Sequence, residues 1–244
     1  MYGLLVTLLS LLLASTASAT EQSFHRSYAL AHSGRVLIDN PYGDVSICSW
    51  DRDEVRVEAV QSASGASIVV DSTSDTLSIR TQYLGFNTAH PASVEYRITV
   101  PRSANLDAIK LVNGELSIEG VAGSVKATSV NGNIKAAELE GTADLSTVNG
   151  QVQAEFHRIS PTNPISLRSV NGPIVLSIPS DSRAQLIAEN RSGGIQTDFA
   201  RADAGGHQFH AVLKGGGARI QLRNVNGGIS IHSTWSRRAE RSGL

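Results

Sequence analysis

The chain has 244 residues, of which 41% are apolar and only 5% aromatic, and its formal net charge is −1. That length and apolar content allow one large domain or two small ones with a true core. The near-neutral balance provides no basic field to attract nucleic acid or anionic lipid, and a core drawn mostly from Val, Ile, Leu and Ala suits a narrow interior.

Residues 1–19, MYGLLVTLLSLLLASTASA, read as a secretory signal peptide. The apolar run 4–13 is too short to span a bilayer comfortably, and Ala17-Ser18-Ala19 supplies an A-x-A cleavage site, although no Lys or Arg precedes the run. A retained membrane anchor is the rival reading. The mature chain is expected to start near Thr20 and to hold no membrane-crossing segment, which puts it in the periplasm, at the cell surface or outside the cell. The single cysteine, Cys48, excludes an internal disulfide and lies too far from the cleavage site to carry a lipid. It reads as a strand residue of no special chemistry.

A frame of strand and turn begins at Gly34, followed by Val36 and Ile38, and returns at Gly43 with Val45 and Ile47. The stretch 71–101 departs from it. There TLSIRTQY and SVEYRITV read as two strands joined by LGFNTAHPA, an inserted hairpin. Tyr83, Phe86, His90 and Tyr96 concentrate ring-bearing side chains in this stretch of a chain that has few. Two readings stay open: a partner-binding loop, or a cap over the end of the repeats.

The frame then becomes strict. Gly114, Gly123, Gly132, Gly141 and Gly150 are nine residues apart. Two residues before each glycine stand Val112, Val121, Val130, Leu139 and Val148. Two after stand Leu116, Val125, Ile134, Ala143 and Val152, and four after stand Ile118, Ala127, Ala136, Leu145 and Ala154. All three sets are expected to point inward, since alternation marks a strand with one buried face and glycine marks the turn. Asn113, Asn131 and Asn149 precede every second glycine, so a period of eighteen overlies the nine. The pair recurs as Asn171-Gly172 and Asn226-Gly227. HRIS, at 157–160, reads as a four-residue loop insertion, the frame blurs between 181 and 217, and residues 235–244 read as a polar C-terminal tail.

Two architectures fit. In a β-solenoid, two nine-residue units make one coil and the asparagines stack at a corner. In an antiparallel meander, Asn-Gly makes hairpin turns, but a long meander must close or find a second layer. The solenoid needs neither, so the expectation is an all-β, single solenoid domain over 20–234.

VEYRITVPRSANLDAIKLVNGELSIEGVAGSVKATSVNGNI resembles the "putative adhesin" β-strand-repeat family, bacterial exported domains of unknown function. The shared marks are a strand ending in Val100-Pro101, a link through Leu106 and successive Asn-Gly repeats; GRVLIDNPYGDVSICSWDRDEVRVEA is similar to that family's opening coil. The resemblance covers essentially the whole mature chain. It implies a solenoid-like β fold at the cell envelope and no catalytic residues.

Chemistry is sparse. His207 and His210 are three apart, which on a strand sends them to opposite faces, so they do not share a metal. The calcium nonapeptide needs an Asp in each turn, where this chain has Asn, Ala or Glu. A polysaccharide-acting enzyme would need clustered acids on one outer face. The outward columns are Glu115, Asn133 and Gln151; Ser117, Lys135 and Gln153; Glu119, Ala137 and Glu155; Lys126 and Asp144; Thr128 and Ser146. Glu119 and Glu155 alone resemble a carboxylate pair, at roughly 10 Å, at or beyond the edge for an inverting mechanism. The expected function is therefore a non-enzymatic, adhesin-like binding module of the envelope, without cofactor or metal, whose partner is an envelope protein or surface glycan. A stress sensor docking another protein is a further alternative.

Overall fold

The computed structural model describes residues 22–62, 65–83, 92–199 and 206–234. The expected leader and the C-terminal tail lie outside these residues, as do Phe86 and His90. The first strands are β1 (Gln22–Ala29), β2 (Arg35–Tyr42), β3 (Val45–Trp50), β4 (Glu54–Gln61), β5 (Ala66–Ser72), β6 (Thr76–Tyr83) and β7 (Val94–Pro101). The strict repeats give β8 (Asn105–Asn113), β9 (Leu116–Glu119), β10 (Val125–Asn131), β11 (Ile134–Leu139), β12 (Ala143–Asn149), β13 (Val152–Phe156), β14 (Ile165–Asn171) and β15 (Ile174–Pro179). The chain closes with β16 (Ala184–Ser192), β17 (Ile195–Thr197), β18 (Gln208–Leu213), β19 (Ala218–Asn226) and β20 (Ile229–Thr234). Among the described residues there is no helix.

The strands form two 10-stranded sheets, A and B. From β8 onward the chain alternates between them, so β8, β10, β12 and β14 lie side by side in sheet B, and β9, β11, β13 and β15 in sheet A. Neighbouring strands are parallel. Val125 faces Leu106 on one side and Ala143 on the other, and Ile134 faces Leu116 and Val152. Parallel pairing is what a solenoid requires and excludes the meander. The inward residues of both sheets meet in one apolar cluster, in which Ala127, Ala136 and Ala154 keep the interior thin between the larger Ile134, Leu145 and Leu167.

One set of expected core residues is corrected. Val112, Val130 and Val148, two before the Asn-Gly glycines, are 39%, 40% and 41% exposed, whereas Val121 and Leu139 are buried. Strict alternation through β10 and β12 puts Ser129 and Thr147 inward and turns the following valine out. Two inward hydroxyls serve the backbone, Thr147 Oγ1 donating to the Gly132 carbonyl at 3.0 Å and Ser169 Oγ to that of Gly150 at 3.0 Å, while the buried Ser129 Oγ has no hydrogen-bond partner among the described residues. At the other corner Gly120 and Glu138 take left-handed φ of 76° and 53°. That extra step shifts the alternation by one and swings Val121 and Leu139 into the core.

The expected hairpin at 71–101 is also corrected. β6 and β7 lie in different sheets and pair in parallel with β2 and β3, so they form another coil. Their inward residues, Leu77, Ile79, Tyr96 and Ile98, alternate as hairpin residues would, and alternation does not say which sheet a strand joins. The spatial order of coils consequently differs from chain order. The β6–β7 coil stacks outside β2–β3, and the β16–β17 coil lies beyond β19–β20. Antiparallel strands finish the stack: β4 on β7, β1 on β4, β5 on β6, and β18 on β16.

Corners stack as tightly as strands. Each asparagine amide donates to the one before it, from Asn131 to Asn113 at 2.9 Å, Asn149 to Asn131 at 2.7 Å, Asn171 to Asn149 at 2.8 Å and Asn226 to Asn171 at 2.9 Å. Beside this ladder a Cβ at Gly132 would run into the carbonyl oxygen of Gly114. Glycine is required there by the approach of one coil to the next.

Candidate binding groove

A groove of about 430 Å³ crosses the outer face of sheet A near the β1 end. Strand register builds it in two rows. The first runs across neighbouring strands through His25, Glu58, Arg97, Ser46, Ser117 and Lys135. The second, nearer the Asn-Gly corner, holds Val60, Glu95, Asp44, Glu115 and Asn133. Asp44 Oδ1 accepts from the Glu115 amide at 2.8 Å, and Glu115 Oε1 accepts from Asn133 Nδ2 at 3.1 Å. The two serines are small, so open space lies between the longer Arg97 and Lys135.

The core holds the charged side chains in place. Glu95 and Arg97 flank Tyr96 on β7, and Tyr96 points inward at 3% exposure. Alternation therefore aims both neighbours outward into the groove. Thr81 Oγ1 donates to Asn40 Oδ1 at 2.9 Å, which leaves the Tyr96 hydroxyl to donate to Thr81 at 2.8 Å. Asn40 Nδ2 in turn donates to the carbonyls of Val94 at 2.8 Å and Gly43 at 3.0 Å. Burial pushes the Tyr96 phenol up to about 12, so it stays a neutral donor.

The groove's charges are poorly matched from within. Among the described residues, Glu95, Arg97 and Lys135 have no ion pair and no side-chain hydrogen bond. The closest internal match is His25 Nδ1, 3.7 Å from Glu58 Oε1. The arrangement can offer carboxylate acceptors along the row nearer the Asn-Gly corner and the cations Arg97 and Lys135 in the other row, where the Glu58 carboxylate stands opposite Arg97 across the β4–β7 register.

The residues singled out in the sequence fall elsewhere. Tyr96 is in the core and presents no side chain to a partner, which corrects its placement in an exposed binding loop. Tyr83 is half-buried: its ring meets Tyr42 edge-on at 5.4 Å, its hydroxyl donates to the Tyr42 carbonyl at 3.4 Å, and burial raises its phenol. Glu119 and Glu155 are exposed on β9 and β13 with β11 between them, and neither lines the groove. Cys48 is exposed between Thr99 and Glu119. His207 and His210 are both exposed. No group of three or more metal-ligating side chains occurs among the described residues.

Sequence columns contained four of the groove's residues, Glu115, Asn133, Ser117 and Lys135, as ordinary cross-strand neighbours. Glu58, Glu95 and Arg97 were missed because β4 and β7 join these columns out of chain order, and Asp44 because it precedes β3, whose place beside β9 the columns did not include. The alternation that buries Tyr96 is the one signal that marks Glu95 and Arg97 as outward.

Residues 103–232, more than half of the chain, match the model of the family described as Toastrack DUF4097. The fold is similar to that of a "putative cell adhesion protein" from Clostridium sporogenes, with 12% identity, a TM-score of 0.56 and coverage of 87% of this chain and 100% of that one. A "putative adhesin" from Bacteroides fragilis matches at 10% identity and a TM-score of 0.36, covering 88% of this chain and 98% of that one. No curated protein sequence matches the chain.

Proposed function

The chain belongs to the Toastrack DUF4097 family, and we propose that it is an exported, non-enzymatic binding module of the bacterial envelope whose ligand docks in the groove on sheet A. The observation that carries this reading is the set of three charged side chains, Glu95, Arg97 and Lys135, that project into one concavity with no ion pair or side-chain hydrogen bond among the described residues. A concavity with a few convergent polar groups is the default place for a ligand.

The ligand is a surface glycan or the face of another envelope protein. The solved neighbour's name points the same way, although at 12% identity it supports the fold alone. A hydrolytic reading finds little support, because Glu119 and Glu155 lie exposed two strands apart, with β11 between them, and neither lines the groove. The coils themselves, built from nine-residue units two at a time, serve as a stiff ruler that holds the groove's rows at the strand spacing of about 4.8 Å.

Immobilised protein should retain a component of envelope extract, glycan or protein. Arg97→Ala with Lys135→Ala should abolish that retention, while Arg168→Ala on sheet B leaves it intact. Retention that survives the groove variant rules the groove out as the binding surface.

A further inference from the structure

We infer that the groove recognises a zwitterionic group, one carrying a primary ammonium and a phosphate or carboxylate a few ångströms apart. This deepens the binding-module reading and rests on it.

The two rows of the groove carry opposite demands. Along one wall Glu95, Asp44 and Glu115 come from successive strands, so three carboxylates stand about 4.8 Å apart with no fixed cation among them. Asp44 and Glu115 each accept one hydrogen bond, from a backbone amide and an asparagine, and neither is neutralised. Like charges at neighbouring strand positions repel, and a mobile cation relieves that repulsion. A primary ammonium fits better than a quaternary one, because its three N–H groups can each find a carboxylate oxygen.

In the other row Arg97 and Lys135 lie three strands apart, separated by Ser46 and Ser117, with Glu58 and His25 continuing the row beyond Arg97. With no ion pair to either among the described residues, and with Glu58 turned to His25, their side chains can converge over the serines on one anion, with the serine hydroxyls as further donors. Glu95 and Arg97 are two residues apart on β7, about 6.7 Å by strand rise. That offset sets the charge separation the groove can accept. A plain anion would meet the acidic wall and a plain cation the basic pair, so each half pays a repulsion that the zwitterion avoids. Tyr96, locked between Glu95 and Arg97, fixes the offset from below.

Calorimetric titration with phosphoethanolamine and 4-aminobutyrate, against methyl phosphate, butyrate and ethylamine, tests this. Each charge-assisted contact is worth about tenfold in affinity. At least one zwitterion should bind about tenfold or more tighter than every single-charge compound, and Glu95→Gln and Arg97→Gln should each remove about tenfold. Sedimentation with phosphatidylethanolamine vesicles, and not with phosphatidylglycerol vesicles, would assign the group to a lipid headgroup; free binding without vesicle binding assigns it to a soluble or glycan-borne source. If no zwitterion outbinds its halves, the inference is wrong. In that case, loss of envelope-extract retention in the Arg97 and Lys135 variant would still uphold the groove, whereas its persistence would sink both.

Discussion

The outer faces of the two sheets are built from the same repeat and treat their charges differently. On sheet B, Arg168 lies 3.0 Å from Asp144, Arg223 3.2 Å from Glu189, and Arg35 3.7 Å from Asp107, with Arg80 against Asp71 at the end of the stack. On sheet A, the groove keeps Glu95, Arg97 and Lys135 apart. Exposed pairs contribute little to stability, so neither pattern is what holds the fold together. The difference lies in what each face leaves available: on sheet B these four arginines are taken up in pairs within the face, whereas Glu95, Arg97 and Lys135 in the sheet A groove remain open to a partner.

The largest effect should come from the core that both faces share. Ile134 is fully buried and Lys135, the next residue, lies in the groove. Ile134→Asp should cost about 4 kcal/mol or more, because it leaves an unpaired charge inside. Lys135→Asp should cost well under about 1 kcal/mol while reducing binding. Chemical denaturation of the two variants measures both, and equal losses would mean the inward register is misassigned. Gly132→Ala belongs with the first group, since its Cβ meets backbone rather than a side chain that could move aside.

The next effect concerns a charge cluster at the corner after sheet A whose members pair with one another, as Arg168 and Asp144 do on sheet B. Glu140 accepts from Arg102 at 2.7 Å and from Arg158 at 2.6 Å, tying the HRIS insertion to the link after β7. Burial alone would raise the Glu140 carboxyl, but the hydrogen bonds and charges of Arg158 and Arg102 prevail and hold it below its ordinary value. A carboxyl lowered in the folded state contributes stability at pH above its unfolded value of 4.5, and that contribution disappears as pH falls through the lower folded value. Both arginines are well exposed, so Glu140→Gln should cost only about 1 kcal/mol at neutral pH after screening. The gap between variant and parent should close in acid. A gap independent of pH would assign the loss to packing instead.

Much of this was legible in the sequence. Period-two alternation fixed the strands, and the eighteen-residue recurrence of Asn-Gly identified the coil. The exposed Val148 and buried Thr147 were not legible, because the choice depends on a hydroxyl reaching the carbonyl of the neighbouring coil. Nor was the stacking of β6–β7 outside β2–β3, since sheet membership follows chain path rather than local pattern. That one uncoded step brings Glu95 and Arg97 beside Ser46, and it explains why the groove could not be assembled from columns alone.

The smallest expected effect is a gain. Glu138 adopts left-handed φ at the position Gly120 fills in the coil before. Glu138→Gly should stabilise by no more than about 1 kcal/mol, as relief of backbone strain is partly offset by glycine's freedom in the unfolded chain. A thermal melt reads it, and a clear loss would mean that the Glu138 side chain contributes a contact that outweighs the strain.

The claim that sheet A is the working face can be tested without knowing the ligand. Lys135 on sheet A and Lys126 on sheet B are both exposed, one in the groove and one on the opposite face. Limited acetylation of the protein, free and saturated with retained envelope extract, followed by mass spectrometry, compares their reactivity. The account predicts that Lys135 becomes protected while Lys126 reacts as before; protection of Lys126 with Lys135 unchanged would contradict it.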